Sequence, residues 1–152
     1  MTEVEMKRIL SILLIFVMLS LFSCHREQSA RAMLCEFVAL YGAEGVIYSP
    51  ELSEGQEGFI PEGLVEKIFR FPEGICDNFA LLLNARIDSP SECGIFVCRD
   101  GSECRLAEEI CLERVGLLSS DKGFVKRRGR VVYYSTLSDP DRAERIFKEI
   151  IK

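Results

Sequence analysis

The chain reads as an α+β domain: an antiparallel sheet of about four to five strands with helices packed on one face, running ββαββα in its second half after an N-terminal helix. Three observations predict this. Apolar residues recur at helical spacing in separate stripes near residues 30–41, 102–118 and 140–151. Runs with strand character lie at 78–87, 94–99, 123–127 and 130–137, and turn residues group them into two hairpins. Helices with one apolar face are not stable alone, so a sheet must cover them.

The first helix is predicted over Ala30–Tyr41, where Ala30, Met33, Leu34, Phe37, Val38 and Tyr41 form one stripe. Ser29 can cap its start and Gly42 can stop its end. A short strand, Val46–Tyr48, ends near Pro50, and the Glu-, Gly- and Ser-rich stretch 51–58 reads as an acidic exposed loop. A second helix is expected after Pro61, with Leu64, Val65, Ile68 and Phe69 inward, and Phe71-Pro72 ends it. Residues 78–87 and 94–99 form the first hairpin around a turn at Ser89-Pro90-Ser91-Glu92. Asp100, three residues before Glu103, is the cap of a helix over 102–118 that turns Cys104, Ala107, Ile110, Cys111 and Leu118 inward. The second hairpin turns at Arg128-Gly129, and Asp139-Pro140 opens the last helix, whose stripe is Ala143, Ile146, Phe147, Ile150 and Ile151.

The start of the chain has a different character. Lys7 and Arg8 precede an apolar run from Ile9 to Phe22, interrupted only by Ser11 and Ser20. This is the length of a signal-peptide core and short for a membrane span. It closes on Leu21-Phe22-Ser23-Cys24, which resembles a bacterial lipobox, with Phe22 larger than usual at its position. The expected division is a signal peptide over 1–23, a tether over 24–29 and a single domain over 30–152. Cys24 is then the lipidation site, carrying palmitate-type acyl chains at the extracytoplasmic face of the cell membrane. Translation can start at Met1 or Met6. An uncleaved anchor is the competing interpretation.

Composition narrows the function classes. The 152 residues carry a net charge of −5, which argues against general nucleic-acid binding because that requires a dominant basic surface. The sole His, His25, falls in the tether, so imidazole-based hydrolase chemistry has no base in the domain. No Gly-rich phosphate loop is present, and no cofactor is implied. Carboxylates are abundant, and solvation on helix faces and loops explains nearly all of them. Asp77, Asp88 and Asp100 flank strand ends and merit inspection for a cleft.

Cysteine is the unusual component, at seven residues. If Cys24 is acylated, Cys35, Cys76, Cys93, Cys98, Cys104 and Cys111 remain, an even set compatible with disulfides or with buried thiols. Cys93 and Cys98 lie five apart on a strand and point to opposite faces. Cys104 and Cys111 lie two helical turns apart, too far to bridge. No Cys-x-x-Cys pair occurs, which disfavours both a zinc site and a thioredoxin-like centre, so no metal ligand is assigned. The second hairpin gathers Lys126, Arg127, Arg128 and Arg130, a set suited to an anionic lipid or wall-polymer surface, or simply a solvated tip.

Within residues 78–151, the strand from Glu92 to Cys98, the acidic helix Leu106–Leu118, and the close from Gly129-Arg130-Val131-Val132-Tyr133-Tyr134-Ser135 to Ile151 together resemble an uncharacterised family of small lipoproteins from Gram-positive bacteria, domain-of-unknown-function family 4358. The resemblance implies an α+β fold and a lipoprotein location, and carries no catalytic residue with it. The expected function is a membrane-tethered, non-enzymatic binding or envelope-support role, with another envelope protein or an anionic wall polymer as partner. The alternative is a cysteine-dependent redox or thiol enzyme, in which Cys93 and Cys98 are the first candidates.

Overall fold

A computed structural model describes residues 29–70, 72, 78–84, 91–118 and 121–151. The expected signal peptide (residues 1–23), Cys24, Cys76, Asp77 and Asp88 lie outside the described residues. The elements are α1 (Ala30–Tyr41), β1 (Val46–Tyr48), α2 (Glu62–Phe69), β2 (Asn78–Leu83), β3 (Glu92–Val97), α3 (Gly101–Leu117), β4 (Phe124–Arg128), β5 (Val131–Ser135) and α4 (Pro140–Ile150). The fold is α+β with one five-stranded sheet ordered β1-β2-β3-β5-β4, antiparallel throughout, and the second half runs ββαββα as expected. No helix among the described residues is long and apolar enough to cross a membrane.

Local chemistry sets the helix ends. The Ser29 hydroxyl accepts from the Ala32 amide (3.2 Å), and the Gly42 amide donates to the Val38 carbonyl from a left-handed φ of 76°. The Asp100 carboxylate accepts from the Ser102 and Glu103 amides at 2.7 and 2.9 Å. These two amide hydrogen bonds hold the Asp100 carboxyl below the usual carboxylate range. The Asp139 carboxylate accepts from the Arg142 amide (3.0 Å), with Pro140 in the first turn.

The expectation of helices on one face is overturned, because they cover both. α1 and α4 pack on the face carrying Ala80, Leu82, Cys93, Ile95 and Tyr133. α2 and α3 pack on the opposite face, which carries Phe79, Leu81, Phe96, Val132 and Tyr134. Successive side chains of a strand alternate between faces, so the unbroken run Phe79–Leu83 required cover on both sides. Three smaller corrections follow the same packing logic. β3 begins at Glu92, which is paired strand and not turn. The second turn is Gly129-Arg130, since Arg128 pairs with Val131, and Gly129 takes the left-handed φ of 60° that a two-residue hairpin turn of this kind requires. On α2, Val65 and Phe69 are buried whereas Leu64 and Ile68 are exposed.

Gly94 is fixed by close approach. A methyl group there would lie 2.6 Å from Tyr134 Cε1 and 2.7 Å from Leu81 Cδ2. The bare backbone lets the Tyr134 ring lie across its cross-strand partner, an aromatic covering a sheet glycine.

Candidate functional site

The sequence nominated two sets of side chains, and the fold treats them differently. Of the basic set, Lys126 turns toward α4 and pairs with Glu144 at 3.8 Å, where Lys148 also binds Glu144 at 2.6 Å. The other three belong to the exposed end of the hairpin. Arg127 donates from Nε to the Gly129 carbonyl (3.1 Å) and from Nη1 to the Gly101 carbonyl at the start of α3 (3.4 Å). Arg128 Nη1 donates to the Lys148 carbonyl at the end of α4 (2.9 Å). Arg130 Nη1 donates to the Arg99 carbonyl (3.4 Å). The tip therefore clasps one helix from each layer, and the carbonyls that accept from Arg127 and Arg128 cancel none of their charge.

The cysteines divide between the layers. Cys93 is buried with α1 and α4, whereas Cys98, Cys104 and Cys111 are buried beneath α3, so Cys93 and Cys98 do take opposite faces. Cys35 on α1 is half-buried. The Cys98 amide donates to the Arg130 carbonyl (2.8 Å), and the Cys104 thiol approaches the Gly129 carbonyl at 3.8 Å. Burial, with the neighbouring Cys98 thiol, pushes Cys104 up to about 12. Burial, reinforced by nearby negative charge, raises Cys93 and Cys111 far above the ordinary thiol range. Among the described residues, no three or more His, Cys, Asp or Glu side chains converge as a metal site. Asp100 serves as the cap of α3.

A third constellation was not nominated by the sequence. Glu92 is nearly buried, at 6% exposure, on the α3 face. Arg114 of α3 grips its carboxylate with two hydrogen bonds, Nε to Oε1 at 2.8 Å and Nη2 to Oε2 at 3.0 Å. The Tyr134 hydroxyl donates to the same Oε1 at 2.9 Å. The Glu92 backbone is held as well: its amide donates to Thr136 Oγ1 (2.9 Å), and its carbonyl accepts from the Thr136 amide and hydroxyl. Arg114 also lies over the Phe69 ring of α2, 5.6 Å from the centroid. Burial and the Glu92 charge raise Tyr134 well above the ordinary phenol range, and the hydrogen bond to Glu92 raises Arg114. The guanidinium fork and the phenol occupy three acceptor sites of the carboxylate. This set locks α2, α3 and the sheet together. One signal pointed to it: Arg114 falls three residues after Cys111 on the buried stripe of α3, and a cation there needs a buried anion.

Comparison with known proteins adds no relative: no family model, no curated protein and no solved structure matches this chain.

Proposed function

We propose that this protein is a lipoprotein of the cell envelope, acylated at Cys24, whose domain serves a non-enzymatic binding or support role at the extracytoplasmic face of the membrane. The observation that carries the reading is the N-terminal series of Lys7-Arg8, an apolar run from Ile9, and Leu21-Phe22-Ser23-Cys24. The first helix begins at Ala30, so only a short tether separates Cys24 from the folded domain. The resemblance of residues 78–151 to a lipoprotein family points the same way. Partners in this setting are the membrane, another envelope protein or an anionic wall polymer.

The lack of an imidazole in the domain and the engagement of Glu92 by Arg114 and Tyr134 favour binding over catalysis. The thiol-enzyme reading draws on the contact between Cys98 and Cys104. Against it stands burial, which suppresses thiolate formation at Cys93, Cys104 and Cys111, and the thiolate is the reactive species.

Mass spectrometry of the N-terminal peptide and palmitate labelling test the proposal. The expected result is an acylated Cys24 with residues 1–23 removed, and label lost in Cys24→Ala. A retained leader, or a Cys24→Ala protein that still labels, overturns it. Thiol-reactivity profiling separates the second reading: one fast, low-pKa thiol at neutral pH would favour an enzyme.

A further inference from the structure

The strand directions put several separate features at one end of the sheet. β2 starts there at Asn78, β3 ends at Val97, β5 starts at Val131 and β4 ends at Arg128, because these residues are successive partners across the sheet. The Ala30 amide donates to Asn78 Oδ1 (2.9 Å), so α1 starts at that end and the chain preceding Ser29 enters there. The contacts of Arg127 and Arg128 bring the start of α3 and the end of α4 to the same place. The opposite end carries Tyr41, Phe124, Ser135 and Asp139, with the Tyr41 hydroxyl accepting from the Asp139 amide.

We propose that the end bearing Ser29 and the Gly129-Arg130 turn is the membrane-facing end of the domain, with Arg127, Arg128 and Arg130 set against anionic phospholipid headgroups. The inference rests on the lipoprotein reading for its tether and adds to it an orientation and a contact surface. Distance is the first argument. Residues 24–29, fully extended, span under about 20 Å, so the entry end cannot stray far from the bilayer. A six-residue strand rises about 20 Å, which puts the opposite end beyond two Debye lengths of roughly 8 Å each. With the entry end at the bilayer, charges there feel the surface potential and those at the opposite end are screened.

Charge complementarity is the second argument. The sheet order makes β1 and β4 opposite edges, about 19 Å apart at normal strand spacing. The loop after β1 carries Glu51, Glu54 and Glu57, and Glu51 is engaged by the Ser29 hydroxyl at 2.6 Å. The basic turn stands at the β4 edge. The near end is thus polarised, and a chain of net charge −5 approaches an anionic surface best through its β4–β5 corner.

The test uses the full acylated protein in vesicles of phosphatidylcholine, with or without about one-third phosphatidylglycerol. A benzophenone amino acid replaces exposed Glu149 at the proposed near end or exposed Ser138 at the far end, and photocrosslinks to lipid are counted. The expected yield from position 149 is at least about tenfold that from 138 in anionic vesicles. That ratio should fall several-fold in an R127S/R128S/R130S protein, and in the unchanged protein at high salt. Equal yields at the two positions overturn the orientation, and a high ratio indifferent to both treatments overturns the headgroup contact, while in either case flotation with the vesicles leaves the lipoprotein reading intact. A full chain that does not float overturns both. Crosslinking at 149 that depends on added wall polyanion and ignores lipid charge would assign this end to the polymer and overturn the lipid proposal.

Discussion

The two faces of the sheet are built on different principles. Beneath α1 and α4 the packing is almost wholly apolar and aromatic: Phe37 stacks on Phe147 with centroids 4.0 Å apart, and Tyr133 lies 4.7 Å from Phe147. Beneath α2 and α3 the layer contains three cysteines and a buried ion pair, and the phenol of Tyr134 is tied to Glu92. Their outer surfaces differ too. Of the large apolar side chains exposed among the described residues, Leu40 lies on α1, whereas Leu64, Ile68, Leu106, Leu112 and Leu117 all lie on α2 and α3. Apolar packing is tolerant of direction. A fork of guanidinium on carboxylate is not, and it fixes how α3 sits on the sheet. Both layers supply cohesion, and the α2–α3 layer adds registration.

The largest test of that contrast is Phe147→Ala, which removes the ring at the centre of the α1–α4 layer. A loss of about 3–5 kcal/mol in urea unfolding is expected. A loss below about 1 kcal/mol would show that the ring stack contributes little to cohesion. On the other face, Arg114→Met strands the Glu92 carboxylate, and a loss of about 2–3 kcal/mol is expected, reduced from the fully buried case because the Arg114 side chain is 27% exposed. Adding Glu92→Gln should recover at least half, and strictly additive losses would mean that the pair is not coupled.

The thiols give a comparison by pH. Cys93 sits on one face and Cys111 on the other, and both keep their protons when folded at pH values where unfolded thiols ionise. Above the unfolded pKa of about 8.5 the unfolded state binds fewer protons, so stability must fall as pH rises. The fall should reach about 1.4 kcal/mol per thiol near pH 9.5. Cys93→Ala and Cys111→Ala should each remove a similar share of that slope, measured by denaturant titration between pH 7.5 and 9.5. A slope that is flat, or that one variant abolishes alone, contradicts the symmetry. The smallest effect belongs to Asp100. Its lowered pKa stabilises the fold above the unfolded carboxyl pKa, and this contribution is lost as pH falls through the folded value. Asp100→Asn keeps the cap and should leave neutral stability nearly unchanged while flattening the dependence below about pH 4.

Element identity was readable wherever periodicity and caps agreed. Ser29, Asp100 and Asp139 each cap the helix their sequence context implied, since capping is a matter of a few neighbouring residues. Strand boundaries were harder. Glu92 beside Ser89-Pro90-Ser91 looks like turn chemistry, and its place in β3 depends on pairing with Leu83 and on Thr136, 44 residues further along the chain. The basic set was legible as a cluster but not as a geometry: Lys126 leaves it for Glu144, a partner on another element.

The sequence alone determined the composition of each element, the ββαββα order and the apolar stripes, because these depend on spacing along the chain. It also carries the apolar run from Ile9 to Phe22 on which the proposed leader rests. Only the tertiary structure decided that the helices divide between two faces, that Arg114 finds Glu92, and that the entry of α1 shares an end with the basic turn. Those outcomes depend on which strands become neighbours, and strand pairing is selected by the collective burial of side chains from the whole chain, which no local pattern records.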